Sequence, residues 1–414
     1  MLTSVVASLL LSAAPAMEDD QLPAAFLQTV KAHSTYGNSL ADGSGVLGRK
    51  SSGSVLGVDS VVNWSSYFYQ ADFFAYQFTW PYTMVGKPPF GQPDSDGKTV
   101  IRAPVVAVNV DLRNYDGSPR YVNGQRLYSD ATQYVTPVLQ SPVFANAWYD
   151  SSERPTQFTD AIQRAEFYRA SDDGWHTLLQ PSVPSAQTMV LVRGTYRFAL
   201  NADGSCCFYI LVDANAFGAA LFPATPSDTT TPIGAAENAG DITTHDIATF
   251  LFPNTYLYIG TTANCCILGY HTYDTEPGDS GNGWRERRYV LNYSSWISPG
   301  LFGAGFTDVT ALSHEMAETF NDPFVNNATP WWLAPNFNCQ NNLETGDVIE
   351  GLPNATYPIT MKNGFTYHPQ NEALLQWFAG QTPSSAIHHA YSYPDTTVLP
   401  TAAVVQPANC NPPQ

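Results

Sequence analysis

Hydrophobic and polar positions alternate along this chain with two periods, one typical of strands and the other of helices. Residues 103–112 are rich in β-branched side chains and predict a strand. Residues 158–168 repeat hydrophobic side chains at helical spacing, with polar side chains on the other faces, and predict an amphipathic helix. Similar hydrophobic runs predict further strands at 189–200, 208–212, 256–260, 265–273 and 288–296.

A second clear helix is expected at residues 309–320. Thr307 or Asp308 can cap its first turn, and the run contains neither Gly nor Pro until Pro323 ends it. The length of the run and its signals at both ends therefore define this helix better than the shorter ones.

The rest of the chain is rich in turn-forming residues. Residues 37–57 and 223–243 contain many Gly, Ser, Thr and Pro residues and predict loops, while residues 324–369 are Asn-rich and irregular. Short helices are expected at 22–32 and 372–379. Because strands and a few helices follow one another without an internal repeat, the predicted fold class is α+β.

The first 16 residues predict a signal peptide. Residues 2–14 are apolar and uncharged, and Ala14 and Ala16 supply the small residues that signal peptidase requires. The run is too short to cross a bilayer as a helix. We therefore expect a secreted, extracellular protein whose mature chain begins near Met17.

The chain is acidic, because it contains 36 Asp and Glu residues but only 18 Lys and Arg residues, which gives a formal net charge of -18. This charge excludes nucleic acid and anionic membranes as partners. No later apolar run reaches the roughly 18 residues of a membrane span, so no membrane partner is expected. Four sequons would carry glycans in a host that glycosylates, at Asn63, Asn292, Asn327 and Asn354.

Six cysteines in an exported chain predict disulfide bonds. Cys339 is expected to pair with Cys410, since both lie in the loop-rich C-terminal part. The two adjacent pairs, 206–207 and 265–266, are expected to bond to each other across neighbouring strands. Adjacent residues on a strand point to opposite faces, so one bridge could form on each face.

The residues that carry chemistry lie in the helix predicted at 309–320. His314 and Glu318 are four residues apart, so both side chains project from one face and can reach one divalent cation. Glu315 has the position of the general base in the His-Glu-x-x-His helix of zinc peptidases. Glu318 replaces the second histidine of that motif, and a carboxylate shifts preference from Zn²⁺ toward Ca²⁺ or Mn²⁺.

A third ligand is expected from the irregular segment downstream of this helix. Glu344 and Asp347 are the two carboxylates of a Glu-Thr-Gly-Asp sequence, and a loop could bring either one back over the helix. We interpret His271 as a structural strand residue rather than a ligand. His368 is likewise structural or hydrogen-bonds a ligand, and Asp322 caps the helix end or orients the histidine.

These motifs resemble a pattern of secreted bacterial, fungal and plant proteins that includes relatives of the plant phosphate-induced (Exordium) proteins. The resemblance covers about residues 255–395 and, more loosely, residues 103–180. It rests on the His-Glu-Met-Ala-Glu helix at 314–318, Asn-Asp-Pro at 321–323, Trp331 and Glu-x-Gly-Asp at 344–347. A Gly-Tyr-His strand at 269–271 and the segment 363–369, which contains His368, belong to the same pattern. It implies a zincin-like core, in which a mixed sheet packs on an active-site helix, within residues 201–414. Residues 17–200 would form a β-rich α+β region that packs beside it or within the same unit.

The predicted function is that of a secreted metal-dependent hydrolase, most simply a metallopeptidase acting on proteins or peptides. His314, Glu318 and either Asp347 or Glu344 would hold Zn²⁺, with Ca²⁺ or Mn²⁺ as alternatives, and Glu315 would be the general base. The rival is a non-catalytic extracellular or wall-associated binding protein with a structural metal ion. The missing second histidine favours the rival, whereas the lack of an obvious structural role for Glu315 favours the enzyme.

Overall fold

The computed structural model describes residues 20–30, 57–90, 97–303, 305–407 and 410. The signal peptide predicted for residues 1–16 and most of the loop predicted at 37–57 lie outside the described residues.

Strands are numerous and many are short. The described residues contain twenty-one of them, in chain order β1 (Asn63–Ala71), β2 (Gln77–Val85), β3 (Lys98–Arg113), β4 (Tyr121–Val122), β5 (Gln125–Arg126), β6 (Tyr128–Ser129), β7 (His176–Ser182), β8 (Gln187–Val192), β9 (Tyr196–Leu200), β10 (Cys206–Asp213), β11 (Ile247–Pro253), β12 (Thr255–Tyr258), β13 (Cys265–Ile267), β14 (Gly269–Glu276), β15 (Arg287–Trp296), β16 (Ala328–Leu333), β17 (Cys339–Asn342), β18 (Ile359–Thr360), β19 (Thr366–Tyr367), β20 (Glu372–Ala373) and β21 (Ser392–Tyr393).

Helices are fewer. The same part of the chain contains six α-helices, α1 (Thr132–Leu139), α2 (Phe158–Glu166), α3 (Ala214–Leu221), α4 (Pro232–Ala239), α5 (Thr310–Asn321) and α6 (Leu375–Phe378). Short 3-10 helices lie at Ala24–Thr29, Thr262–Asn264, Ser280–Asn282 and Ile387–His389. No helix in the described ranges combines the length and apolar character needed to cross a membrane.

The largest sheet has seven strands and mixed direction. At its centre β3 pairs in parallel with β11, and β11 pairs in parallel with β15. The outer strand β14 runs antiparallel to β15. On the other side of the sheet β7 and β8 pair in parallel with successive segments of β3, and β6 pairs antiparallel with its end. The sheet therefore joins strands from both sides of residue 200.

A second sheet of four strands lies beside the first in the order β13-β12-β10-β9. Its inner face packs with the large sheet around a cluster of aromatic rings. Phe217 of α3 is central to this cluster, with its ring centroid 4.7 Å from that of Tyr293 and 6.4 Å from that of Tyr270. This burial of aromatic area fixes the back face of β14 and β15.

Helix α5 packs against the opposite face of β14 and β15. Met316 and Phe320 on the helix belong to the same hydrophobic cluster as Tyr273 on β14. Because side chains two residues apart share a face of a strand, His271 and Gly269 also face the helix. The sheet thus presents a histidine and a glycine to α5.

The α+β class and most of the longer elements are confirmed. The strands predicted at 103–112 and 288–296 correspond to β3 and β15, and the helices predicted at 158–168 and 309–320 correspond to α2 and α5. One difference concerns α2, because all nine of its residues are buried, including the polar ones expected on other faces.

Two local predictions are wrong. The loop predicted at 223–243 contains helix α4, whose apolar residues Ile233 and Ala236 are fully buried. Thr231 caps this helix by accepting a hydrogen bond from the backbone N–H of Gly234, and Pro232 occupies the first helical position. These two residues therefore mark the start of a helix and not a loop. The helix predicted at 372–379 is limited to α6, because its first residues form β20 and pair with β21.

The disulfide prediction is confirmed for one bond and wrong for the other two. Cys339 bonds to Cys410 and ties the C-terminal segment to β17. The adjacent cysteines bond within each pair, 206 with 207 and 265 with 266, and not across strands. The strand order explains this outcome, because β12 lies between β10 and β13 and separates the two pairs.

Candidate metal centre

Three ionisable side chains lie on the buried face of α5. His314 and Glu315 are each 1% exposed, and Glu318 is 3% exposed. Asp308 stabilises the start of this helix, because its Oδ1 accepts the backbone N–H of Val309 at 2.6 Å. Burying charged groups costs several kcal/mol unless they are paired or bind a metal, so these three residues are costly to keep in a purely structural helix.

His314 and Glu318 approach each other as their spacing predicts. The Nε2 atom of His314 lies 3.2 Å from Oε2 of Glu318 and 4.0 Å from Oε1 of Glu315. One turn of helix therefore presents an imidazole and two carboxylates toward the same small volume.

The segment that follows β17 adds the two expected carboxylates, but at different places. Oδ1 of Asp347 lies 3.6 Å from Nε2 of His314. Oε2 of Glu344 instead lies 3.8 Å from Nε2 of His271. The two candidates for the third ligand thus face different imidazoles, and Asp347 is the one beside the predicted helix ligand.

His271 belongs to this cluster, although the sequence interpretation made it structural. Its Nδ1 lies 3.3 Å from Oε2 of Glu318 and 3.7 Å from Oε2 of Glu315. The signal that could have identified it is the alternation on β14, since Gly269, His271 and the aromatic Tyr273 occupy one face. A histidine on a buried face of a strand needs a polar or metal partner, and that need indicates a strand that borders a site.

The donor atoms form two groups that share Glu318, and each group could hold a divalent metal ion. Oε2 of Glu318 lies within 3.3 Å of a ring nitrogen of both His271 and His314. Metal bonds of about 2.0–2.1 Å in a tetrahedron place neighbouring ligand atoms about 3.3–3.4 Å apart. The carboxylate and imidazole groups form two overlapping triads, one of His271, Glu318 and Glu344 and one of His314, Glu315 and Glu318. Within each triad, one ligand atom from every residue lies within 4.8 Å of the other two.

Three buried atoms of the cluster have no hydrogen-bond partner among the described residues. They are Nε2 of His271, Oε1 of Glu315 and Oε1 of Glu344. An unsatisfied buried polar atom costs about 1–3 kcal/mol. A bound cation and its water ligands are the kind of partner that would offset this cost.

Glycines allow the close packing around the cluster. A Cβ atom on Gly346 would lie 2.4 Å from Nδ1 of His314, and one on Gly269 would lie 2.7 Å from Oε1 of Glu315. The backbone N–H of Gly346 also donates to Oε1 of Glu318 at 3.0 Å, and that of Asp347 donates to the same atom at 3.4 Å. The loop therefore docks directly on the helix.

The electrostatics of the cluster reflect strong mutual interaction. Burial favours the neutral acid, but the imidazoles of His314 and His271 outweigh it and hold the pKa of Glu318 below its ordinary value. Burial and the charge of Glu318 raise the pKa of both Glu344 and Asp347 well above their ordinary range. Glu318 is therefore the carboxylate on which the cluster is centred.

The remaining candidates have structural partners. Nδ1 of His368 lies 2.7 Å from Oδ2 of Asp308. This histidine therefore stabilises the start of α5 and does not hydrogen-bond a residue of the metal cluster. Asp322 accepts the backbone N–H groups of Asn326 and Asn327 at 2.9 Å and 3.0 Å, which agrees with its expected role at the helix end.

None of the protein-family models, curated proteins or solved structures compared with this chain matches it.

Proposed function

We propose that this protein is a metal-dependent hydrolase of the metallopeptidase class, acting on proteins or peptides. The observation that carries the proposal is the position of Glu318 between two buried imidazoles, with one of its oxygens within 3.3 Å of a ring nitrogen of both His271 and His314. A zincin-like arrangement, in which a mixed sheet packs on the ligand-bearing helix, is part of the same proposal.

Glu318 is common to both triads, and His271 and His314, one from each triad, would draw together to hold the ion with it, while Asp347 would complete or tighten the set. Two imidazoles favour Zn²⁺ over Ca²⁺, which prefers oxygen ligands alone. His271 thus supplies the nitrogen donor that the sequence motif lacks at the position of Glu318. When bound, the ion supplies Lewis acidity toward water and a substrate carbonyl.

Glu315 would act as the general base. Its Oε1 has no hydrogen-bond partner in the described part of the chain, and its Oε2 lies 3.7 Å from the ring of His271. A carboxylate beside the ligands, with one oxygen that has no hydrogen-bond partner, can accept a proton from the attacking water. The close approach of Gly269 to its stem fixes the direction in which this carboxylate points.

The test pairs elemental analysis of the purified protein with cleavage of an unselective protein substrate. Glu315→Gln should retain the metal while hydrolysis falls by at least about 100-fold, the loss typical of a missing general base. His314→Ala should lose both metal and hydrolysis. His368→Gln is the matched control, because its histidine pairs with Asp308 away from the cluster, and it should retain both.

One observation favours a second candidate, a non-catalytic extracellular module with a structural cation. The six side chains of the cluster are each at most 6% exposed, and they are those of His271, His314, Glu315, Glu318, Glu344 and Asp347. A hydrolase, in contrast, must let its substrate reach the metal ion. Stoichiometric metal without hydrolysis of any peptide would select this candidate. A wild-type protein that takes up no divalent metal would contradict both.

We also propose that the protein is exported. The signal-like sequence at residues 1–16 supports this, and so do the disulfide bonds, because such bonds persist in oxidising compartments. N-terminal sequencing of protein from the culture medium should find a chain that begins near Met17. Recovery of the chain with Met1 retained would contradict the proposal.

A further inference from the structure

A cavity of about 280 Å³ lies where the hairpin of β1 and β2 meets the ends of α2 and α6. Four of its twelve lining residues are aromatic, namely Tyr67, Phe68, Tyr82 and Phe167, and several of the others are polar or charged. No residue of the metal cluster lines it, so it is a separate feature of the molecule.

A buried carboxyl group borders this cavity, and no salt bridge to it is formed by the residues that the structure describes. Glu166, the last residue of α2, lines the cavity and is 1% exposed. Its Oε1 accepts the backbone N–H of Leu375 at 2.9 Å. Its Oε2 has no hydrogen-bond partner among the residues that the structure describes.

A second acceptor belongs to another residue that lines the same cavity, Gln376. The Nε2 atom of Gln376 donates to the backbone carbonyl of Glu166 at 2.7 Å, which fixes the orientation of the amide. Its Oε1 has no hydrogen-bond partner within the described ranges, and Gln376 also lines the cavity. The nearby guanidinium of Arg169 is at the exposed rim, 3.4 Å from the ring of His389.

Two buried acceptors without hydrogen-bond partners among the described residues, in a cavity partly lined by aromatic rings, define the chemistry of a ligand that would fit there. It must donate hydrogen bonds, because the amide oxygen of Gln376 and the ionised form of Glu166 both accept them. A positive charge would pair with the carboxylate, and it would also be attracted by the faces of aromatic rings such as Phe68 and Tyr82. The net charge of -18 further favours a cation over an anion.

We propose that this cavity binds a primary alkylammonium group, as carried by a lysine side chain or by a free alkylamine. The ammonium would donate hydrogen bonds to Oε2 of Glu166 and Oε1 of Gln376, and its alkyl chain would pack against the aromatic rings. A quaternary ammonium is disfavoured because it has no N–H groups. A neutral ligand of the same shape would leave the carboxylate unpaired.

Binding should become tighter as the pH rises toward 8. Burial raises the pKa of Glu166 to about 8, and a bound cation favours its ionised form, so binding releases a proton below that pH. The titratable and charged groups that line the same cavity are Tyr67, Tyr82 and Arg169. Burial raises the pKa of Tyr82 to about 12, so this phenol stays neutral across the range.

Isothermal titration calorimetry of the full chain tests the proposal with four probes: Nα-acetyl-lysine N-methylamide, its ε-trimethyl derivative, the norleucine analogue and n-butylamine. The lysine derivative or butylamine should bind, and the tighter of the two identifies the source as peptide-borne or free. Affinity should rise between about pH 6 and pH 8, while the ammonium remains charged. Equal binding of the norleucine or trimethyl compound would overturn the proposal, as would no binding of either amine.

Variants locate the site. Glu166→Gln keeps the shape and removes the charge, and it should weaken binding by about tenfold or more. Glu153→Gln, at an exposed position, removes the same charge elsewhere and should leave binding unchanged. Ala170→Trp, at an exposed residue of the rim, should block the cavity while leaving the melting temperature near that of the wild type. Unchanged binding in a folded Ala170→Trp protein would overturn the assignment of the cavity.

Discussion

The backbone N–H of Gly346 donates a 3.0 Å hydrogen bond to Oε1 of Glu318, the carboxylate at the centre of the candidate metal site. The Cα of the same glycine packs against the ring of His314, so closely that an added Cβ would lie 2.4 Å from Nδ1. The loop after β17 therefore fixes two of the proposed ligands through a residue that has no side chain.

Gly346→Ala should weaken the metal site. The added methyl group must displace either the imidazole of His314 or the loop, so the donor atoms would no longer converge. We expect metal affinity to fall by about 10- to 100-fold, as it does when groups that orient ligands are changed. A competition assay with a chelating indicator measures this affinity.

Gly303→Ala is the control for that substitution. A Cβ atom at Gly303 would meet no heavy atom within 4 Å, so this variant should bind metal as the wild type does. Wild-type affinity in Gly346→Ala would show that His314 can move without loss and would argue against its role as a ligand.

The helix of the candidate site was predictable from the sequence, because its signals are local. The spacing of His314 and Glu318 and the stop at Pro323 lie within one short segment. The contribution of His271 was not predictable in the same way. It depends on the pairing of β14 with β15 and on the packing of α5 across them, which are contacts between segments far apart in the chain.

His271→Gln tests the role that only the fold reveals. If His271 is a ligand, its loss should reduce metal affinity by more than about 100-fold, beyond the effect of altering an orienting group. His368→Gln, which changes a histidine bonded to Asp308, should retain the affinity of the wild type. Equal affinities in the two variants would restore the structural interpretation of His271.

The same difference between local signals and long-range contacts explains which disulfide bonds could be predicted from the sequence. Pairing of Cys339 with Cys410 was expected because no other cysteine lies in the C-terminal part of the chain. The partners of the adjacent cysteines depended on the strand order, and β12 separates the strands that carry them. Hydrophobic patterns predict that strands exist, but they do not give the order of strands in a sheet.

Removal of the Cys339–Cys410 bond should destabilise the fold. The bond spans a sequence separation of 71 residues and closes the C-terminal segment onto β17. The double variant Cys339→Ala with Cys410→Ala should lose about 2–5 kcal/mol of unfolding free energy, since the unfolded chain regains the freedom of a long loop. Urea unfolding followed by circular dichroism measures the loss. A change below about 1 kcal/mol would mean that the C-terminal segment contributes little to the cooperative unit.

Glu237 gives the fold a dependence on pH that does not involve the metal centre. Burial, together with the charges of Asp274 and Glu276, raises the pKa of Glu237 to about 9. The unfolded chain has the ordinary value near 4.5. Between these two values the folded state binds more protons than the unfolded state, so the unfolding free energy falls as the pH rises through this window.

Glu237→Gln should therefore stabilise the protein at alkaline pH, because the amide keeps the shape of the protonated acid and has no charge to bury. We expect a gain of about 1–3 kcal/mol at pH 8.5 and little gain near pH 5, where the native acid is already protonated in the fold. Urea unfolding at both pH values measures the difference. Glu153→Gln, at an exposed position, controls for the change in net charge. A variant that is less stable than the wild type at pH 8.5 would show that Glu237 is ionised and paired in the native state.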